Sequence, residues 1–478
     1  MDCVKGEASL VFSSHIFLCF FLPAVLIGHM AVKNIQVRNG LLIIASLLFY
    51  AYGEPVYVLL LLISVLFNYV FGLLLGKKHL KGVLAVAVSL NIGLLFVFKY
   101  LDFIILQINK ASSLKLSSPG LTLPIGISFY TFQALSYVID VYRGDVKARK
   151  SFSELLLYIS FFPQLIAGPI VKYHDVEKQL KNRSVDVFDI KDGMLRFTCG
   201  LGKKVLIANT MAKTADALFA FSGSEFGLLS SWVAAITYLF QIYFDFSGYS
   251  DMAIGLGRMF GFRFPENFDH PYISGSITEF WRRWHISLTS WFRDYLYIPL
   301  GGNRKGRVRT VINRYIVFML TGFWHGANWT FLVWGLWHGS FMMLERAVKN
   351  PEKTESKAGK NILGHVYAML VVTLGFVIFR ADTITQALHI IKAMFGFGTG
   401  GGASYAASLE FFRPYCLFIF AIGIIGLGNL PKKVLAALKN KNERAGEAFA
   451  MCASIAVLVL CITALAVNSY NPFIYFRF

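Results

Sequence analysis

The chain has 478 residues, 56% of them hydrophobic and 15% charged, against about 45–50% and about 25% in a soluble globular chain. A chain this apolar cannot cover its surface with polar groups in water, which excludes a string of soluble domains and makes lipid its solvent. The formal net charge of +19, from 46 Lys plus Arg against 27 Asp plus Glu, lies in short basic runs between apolar segments; this is the positive-inside pattern, and it leaves no role for nucleic acid as a partner.

A membrane span needs about 20 mostly apolar residues. In chain order the segments that approach this are 13–32, 40–54, 55–76, 81–99, 122–142, 197–219, 228–250, 312–327, 328–345, 361–380, 412–430 and 447–468. They predict an all-α, polytopic integral membrane protein with about 11–12 transmembrane helices, plus re-entrant and interfacial amphipathic helices. The first segment contains an apolar stretch from Phe17 to Ile27, but its basic flank is weak and a second apolar run follows at Leu41. It reads as a retained span rather than a signal peptide. Basic runs at 33–38, 77–81, 143–150, 172–204, 293–314, 346–360 and 432–444 all face the cytoplasm if the N-terminus is outside. Residues 52–55 and 101–120 then face outward. The six cysteines, Cys3, Cys19, Cys199, Cys416, Cys452 and Cys461, are scattered without CxxC spacing, which points to small buried hydrophobes rather than disulfides or zinc.

One segment breaks the alternation. Segment 152–171 is apolar yet flanked by basic loops at both ends, and Phe161-Phe162-Pro163-Gln164 and Gly168-Pro169 each interrupt a helix. This predicts a re-entrant segment with a cavity near Gln164, because non-helical backbone at membrane depth must be buried in protein or line a wet space. The stretch 258–311 is more polar. Within it Ser276-Ile277-Thr278-Glu279 fits a capping box. From there Ile277, Phe280, Trp281, Trp284, Leu288, Trp291, Phe292 and Tyr295 recur at helical spacing, with Arg282, Arg283, Ser290 and Arg293 on another face. The pattern predicts one amphipathic helix in the cytoplasmic interface, with His285 at the edge of its apolar face.

Polar groups inside a membrane are expensive and are therefore functional candidates. The densest constellation is GFWHGANW at 322–329 followed by WGLWHG at 334–339. It holds His325 and His338, each followed by a glycine that permits close approach. Histidine is suited to taking and returning a proton near neutral pH. The 13-residue separation is not the i, i+4 spacing of a helical metal pair, and no metal is expected. Asp245 and Asp251 lie in an apolar run and need cationic partners, for which Arg282, Arg283 and Arg258 are the candidates. A structural ion pair is a better account of them than direct catalysis.

These strings together resemble the membrane-bound O-acyltransferase superfamily, in its alginate O-acetyltransferase-like branch. The resemblance rests on LPIGISFY at 123–130, FFPQLIAGP at 161–169, YFDFSGYSD at 243–251, NFDHPY at 267–272, FWRRWHISL at 280–288, WFRDYLYIPLGG at 291–302, GLWHG at 335–339 and NPFIYF at 471–476. It runs through nearly the whole chain, and implies one domain, 1–478, with a catalytic core at about 122–345. Residues 349–360 and 384–411 carry no family signal. By motif the family's essential histidine corresponds to His338, a second polar site to His285, and His325 ranks third. Gln164, Tyr243, Asp245, Ser247, Asp251, Trp281, Arg282, Arg283, Trp334 and Trp337 are candidates for lining or holding a substrate tunnel.

What the resemblance implies is acyl transfer from a thioester, with acetyl-CoA as donor substrate and no bound cofactor. His338 acts as general base on an acceptor hydroxyl, and His285, His325 or a backbone N–H stabilises the oxyanion. Direct transfer and a covalent acyl intermediate both remain open. The acceptor is an exported polysaccharide, met on the outer side with a separate extracytoplasmic hydrolase-like protein, in the cell membrane. A teichoic acid, lipid or protein acceptor is the alternative within the superfamily. A transporter is the alternative outside it, and it would show a repeat of paired broken helices.

Overall fold

The computed structural model describes residues 10–77, 79–348, 362–467 and 470–474, and every regular element among them is a helix. Five helices are long and apolar enough to cross a bilayer: Ile35–Gly53, Tyr57–Lys77, Lys81–Lys99, Ile362–Arg380 and Glu443–Val467. Gly402–Phe412 and Pro414–Gly426, bent by 65°, make a sixth if they count as one span. The other expected spans are helical too. Phe17–Ala31 and Ile127–Arg143 are shorter, Gly306–His325 opens on a basic turn, and Leu228–Met259 has Asp245, Ser247 and Ser250 among its buried side chains. No disulfide joins the five described cysteines, and the expectation that they are buried holds for Cys461 alone; Cys19, Cys199 and Cys452 are exposed.

Contacts divide the chain into two compact units, residues 1–197 with 249–265, and residues 198–248 with 266–478. In the first, Tyr57–Lys77 and Lys81–Lys99 are joined by a buried amide pair: Asn68 Nδ2 donates to Asn91 Oδ1 (3.1 Å) and Asn91 Nδ2 to Asn68 Oδ1 (2.9 Å). Each amide satisfies the other, the usual remedy for polar groups between membrane helices. Segment 152–171 breaks at both predicted places. Helix Phe152–Ser160 stops at Phe161, a one-turn helix Phe162–Leu165 follows with Pro163 in its first turn, and irregular backbone runs through Gly168 and Pro169. A Cβ on Gly168 would lie 2.7 Å from Gln164 Cα, so only glycine closes this turn. Tyr158 then donates from its hydroxyl to the Val171 carbonyl (2.8 Å), tying the outgoing arm to the returning one.

In the second unit, helices Gly306–His325 and Trp329–Val348 form a tight hairpin. A Cβ on Gly322 would lie 2.2 Å from the Phe331 carbonyl oxygen, and one on Gly335 2.3 Å from that of Phe318. The two backbones touch, and glycine at both positions is a steric requirement. Upstream, a π-helical turn Lys203–Ala208 joins Val187–Gly202 to Asn209–Phe219; Lys204 on this turn is buried.

The single amphipathic helix expected from Ser276 onward is two short ones, Ile277–Arg283 and Ile286–Phe292. Ser276 caps the first as predicted, its Oγ accepting from the Glu279 N–H (3.0 Å). The break falls at His285, whose φ of 44° is left-handed, a conformation costing a non-glycine residue roughly 1–2 kcal/mol. The compensation comes from Asn267, whose carbonyl accepts the Ile286 N–H (2.9 Å).

From this packing, Gly335→Ala should destabilise the protein by about 1–3 kcal/mol through overpacking against the Phe318 carbonyl. Thermal unfolding in detergent measures this; an unchanged midpoint would show that the hairpin tolerates a wider spacing.

Candidate functional site

His338 sits in the middle of Trp329–Val348 and is fully buried. Its ring meets Trp281 edge to face at 5.3 Å, Trp334 at 5.3 Å, and Phe280 nearly parallel at 6.3 Å. Neither ring nitrogen has a hydrogen-bond partner among the described residues, and the indole nitrogens of Trp281 and Trp334 have none either. Two features hold this cage. Glu345, two turns further along the His338 helix, accepts from the Ile277 N–H (2.5 Å), the Thr278 N–H (2.9 Å) and the Thr278 hydroxyl (2.7 Å). Its carboxylate thus caps the helix that carries Phe280 and Trp281. On the other side Gly375 of Ile362–Arg380 faces the imidazole, and a Cβ there would lie 2.6 Å from His338 Nε2.

His325 ends the first hairpin helix. Its ring is perpendicular to Trp334 at 5.2 Å and near-perpendicular to Phe379 at 5.2 Å, and it meets Trp324 at 5.0 Å. Trp334 therefore lies against both His325 and His338. A cavity of about 20 Å³, walled by Phe246, Trp284, Phe376 and Ile474 among others, opens beside His325 and Trp334. That volume holds a single water-sized group.

His285 is also buried, with its ring 4.6 Å from Phe246 and 6.3 Å from Trp324. Its Nδ1 lies 3.1 Å from Asn267 Oδ1, which also accepts the Ser287 N–H (3.2 Å) and the Ser287 hydroxyl (2.9 Å). A backbone N–H can only donate, so the Asn267 atom is the oxygen. His285 Nδ1 then carries the proton and Nε2 the lone pair.

The structure thus gathers His285, His325, His338, Trp281 and Trp334 in one aromatic region. Tyr243 packs beside it on Tyr272 (5.0 Å) and Trp284 (6.3 Å), and Ser247 is buried. Trp337 is held apart, its Nε1 donating to the Val371 carbonyl (3.0 Å). Gln164 is buried in the first unit, where its amide donates to the Tyr158 carbonyl; it is not among the residues that line the cavity beside His325. The expected partners of the two aspartates are corrected. Asp245 pairs with Lys204 at 2.9 Å and Asp251 with Arg196 at 2.8 Å. The arginines named for them are engaged elsewhere or exposed: Arg283 with Glu279 (3.1 Å) and Asp269 (2.9 Å), Arg258 with Asp192 (2.7 Å), and Arg282 on the surface. Sequence reasoning missed Lys204, Asn267, Glu345 and Gly375. A lysine entering an apolar run was a readable signal for the first, and Gly375 has none.

The sequence profile described as MBOAT, the membrane-bound O-acyltransferase family, matches residues 146–371. The chain is similar to a probable alginate O-acetylase of Pseudomonas putida, 40% identical over 98% of this chain and 100% of that one. It is similar to a probable alginate O-acetylase of Pseudomonas aeruginosa, 45% identical over 82% and 76%. A peptidoglycan O-acetyltransferase of Helicobacter pylori is 36% identical over 81% and 80%.

If the Arg196–Asp251 pair, whose side chains are 30% and 17% exposed, serves structure rather than chemistry, Asp251→Ala should lower folded yield, at a cost of about 1 kcal/mol. The monodisperse fraction after detergent extraction reads this out; a normal folded fraction with lost function would move Asp251 into the chemistry.

Proposed function

This chain belongs to the membrane-bound O-acyltransferase family and is an O-acetyltransferase, and from that premise we propose that it carries an acetyl group from a cytoplasmic thioester, acetyl-CoA, to hydroxyls of an exported polysaccharide, with His338 as general base. The observation that carries this reading is the state of His338. A buried polar group without a partner costs about 1–3 kcal/mol, and native proteins keep few of them. Two bare ring nitrogens, in a cage built by Glu345 and spared by Gly375, fit a group kept for substrate.

The chemistry follows from that placement. The acceptor hydroxyl gives its proton to His338 as its oxygen bonds to the thioester carbonyl carbon. The tetrahedral oxyanion needs preorganised donors. The indole N–H groups of Trp281 and Trp334 are buried beside His338, and His285 and His325 stand in the same aromatic region. Collapse expels the thiolate, which takes the proton back from the imidazolium, so His338 ends neutral. The same proton exchange serves direct transfer or passage through a covalent acyl group.

The relatives' named acceptors, alginate and peptidoglycan, support a polysaccharide as the class of acceptor. The basic loops support a cytoplasmic approach of the anionic donor, since positive potential raises its local concentration. The protein is then a multi-pass protein of the cell membrane, and an extracytoplasmic hydrolase-like partner completes delivery to the polymer.

Purified protein with labelled acetyl-CoA tests this by release of free CoA. His338→Ala should lose about 10²–10⁴-fold at equal folded yield, and wild-type release by that variant removes His338 from the mechanism. Gly375→Ala, which intrudes on Nε2, should lose activity on the order of 10²-fold, as a displaced catalytic group does; wild-type kcat there would show that the imidazole moves freely.

A further inference from the structure

The cavity beside His325 is closed on one side by Ile474, a residue remote in sequence from the histidines. Ile474 is buried, and its backbone N–H donates to Asp245 Oδ2 at 2.8 Å. The other oxygen of that carboxylate faces Lys204 Nζ at 2.9 Å, and the same ammonium donates to the Pro472 carbonyl. Asn209 Nδ2 donates to Asn471 Oδ1 at 3.1 Å. The side chains of Lys204 and Asp245 are 3% and 2% exposed. Taking two charges out of water costs several kcal/mol per ion before their attraction is counted. Here that expense fixes the backbone at Pro472 and Ile474, the second of which forms a wall.

The size of the space gives this wall a meaning. About 20 Å³ accepts one water-sized group, which is the size of a methyl. The walls are aromatic and aliphatic residues apart from His325, and Trp334 among them also touches His338. Resting on the acyl-transfer reading above, we propose that this cavity takes the methyl of the acetyl group and that Ile474 sets the acyl length by leaving no room for a further methylene. Lys204 and Asp245 are its positioning residues. No contact of theirs with substrate is invoked; they act by holding Pro472 and Ile474 in place.

The test is a selectivity ratio, which a loss of folded protein does not move. The full-length protein in detergent is given acetyl-CoA and propionyl-CoA in competition, and free CoA and acyl products are followed. In parallel, cells expressing each variant are fed propionate, and the esters on their exported polysaccharide are read by mass spectrometry, which reports acyl length whatever carries the donor. Ile474→Ala should raise the propionyl-to-acetyl ratio roughly 10–200-fold, the range one methylene is worth in an apolar pocket. Ile474→Val should raise it less, Ile474→Phe should cut acetyl turnover, and Ile474→Leu should keep the wild-type ratio. Lys204→Met should raise the ratio in the same direction as Ile474→Ala by loosening the wall. Turnover with an unchanged ratio in both Ile474→Ala and Ile474→Val overturns the gate and leaves the acyl-transfer reading standing. Absence of wild-type turnover in both assays overturns that reading, and the gate with it.

Discussion

At Gly322 and Gly335 the helix that ends in His325 and the helix that carries His338 lie backbone against backbone. Lipid supplies little hydrophobic drive between helices, so their association depends on close packing and on polar contacts. The contact of these two helices turns a 13-residue separation in sequence into a shared environment, in which one indole, that of Trp334, borders both imidazoles. The rest of the region is assembled on this hairpin. Glu345, on the same helix as His338, fixes the short helix that brings Phe280 and Trp281, and Gly375, where a Cβ would lie 2.6 Å from His338 Nε2, leaves the ring its room.

The treatment of polar groups divides structure from chemistry. Asn68 and Asn91 satisfy each other, Asp251 has Arg196, Asp245 has Lys204, and Asn267 serves His285, Ser287 and the Ile286 N–H at once. His338 has no such arrangement. His29 is buried with both ring nitrogens bare as well, so what distinguishes His338 is its company: Phe280, Trp281 and Trp334 around the ring.

Much of this was readable from the sequence. Hydropathy placed Lys81–Lys99 to the residue, and two prolines and a glycine marked both breaks of segment 152–171. Composition placed the three histidines among tryptophans that turn out to touch them. What the sequence hid are long-range choices between equivalent partners. Three arginines and many lysines could have neutralised Asp245, and only the fold selects Lys204. The periodicity from Ile277 to Tyr295 is that of an unbroken helix, and it misleads because Asn267, 18 residues before His285, competes for the backbone there. A glycine required by an imidazole on another helix leaves no local mark at Gly375.

The isolation of His338 also bears on the membrane's energy balance. An ionisable group deep in a bilayer protein becomes a leak if hydrogen bonds link it to others on either side, since protons hop along such chains and dissipate the electrochemical gradient. Around His338 the neighbours are ring faces and edges, and neither nitrogen is bonded to another protein group among the described residues. A proton taken up there meets no hydrogen-bonded protein relay among the described residues. If His338 is the general base proposed above, the aromatic cage is an electrical insulator as much as a binding surface.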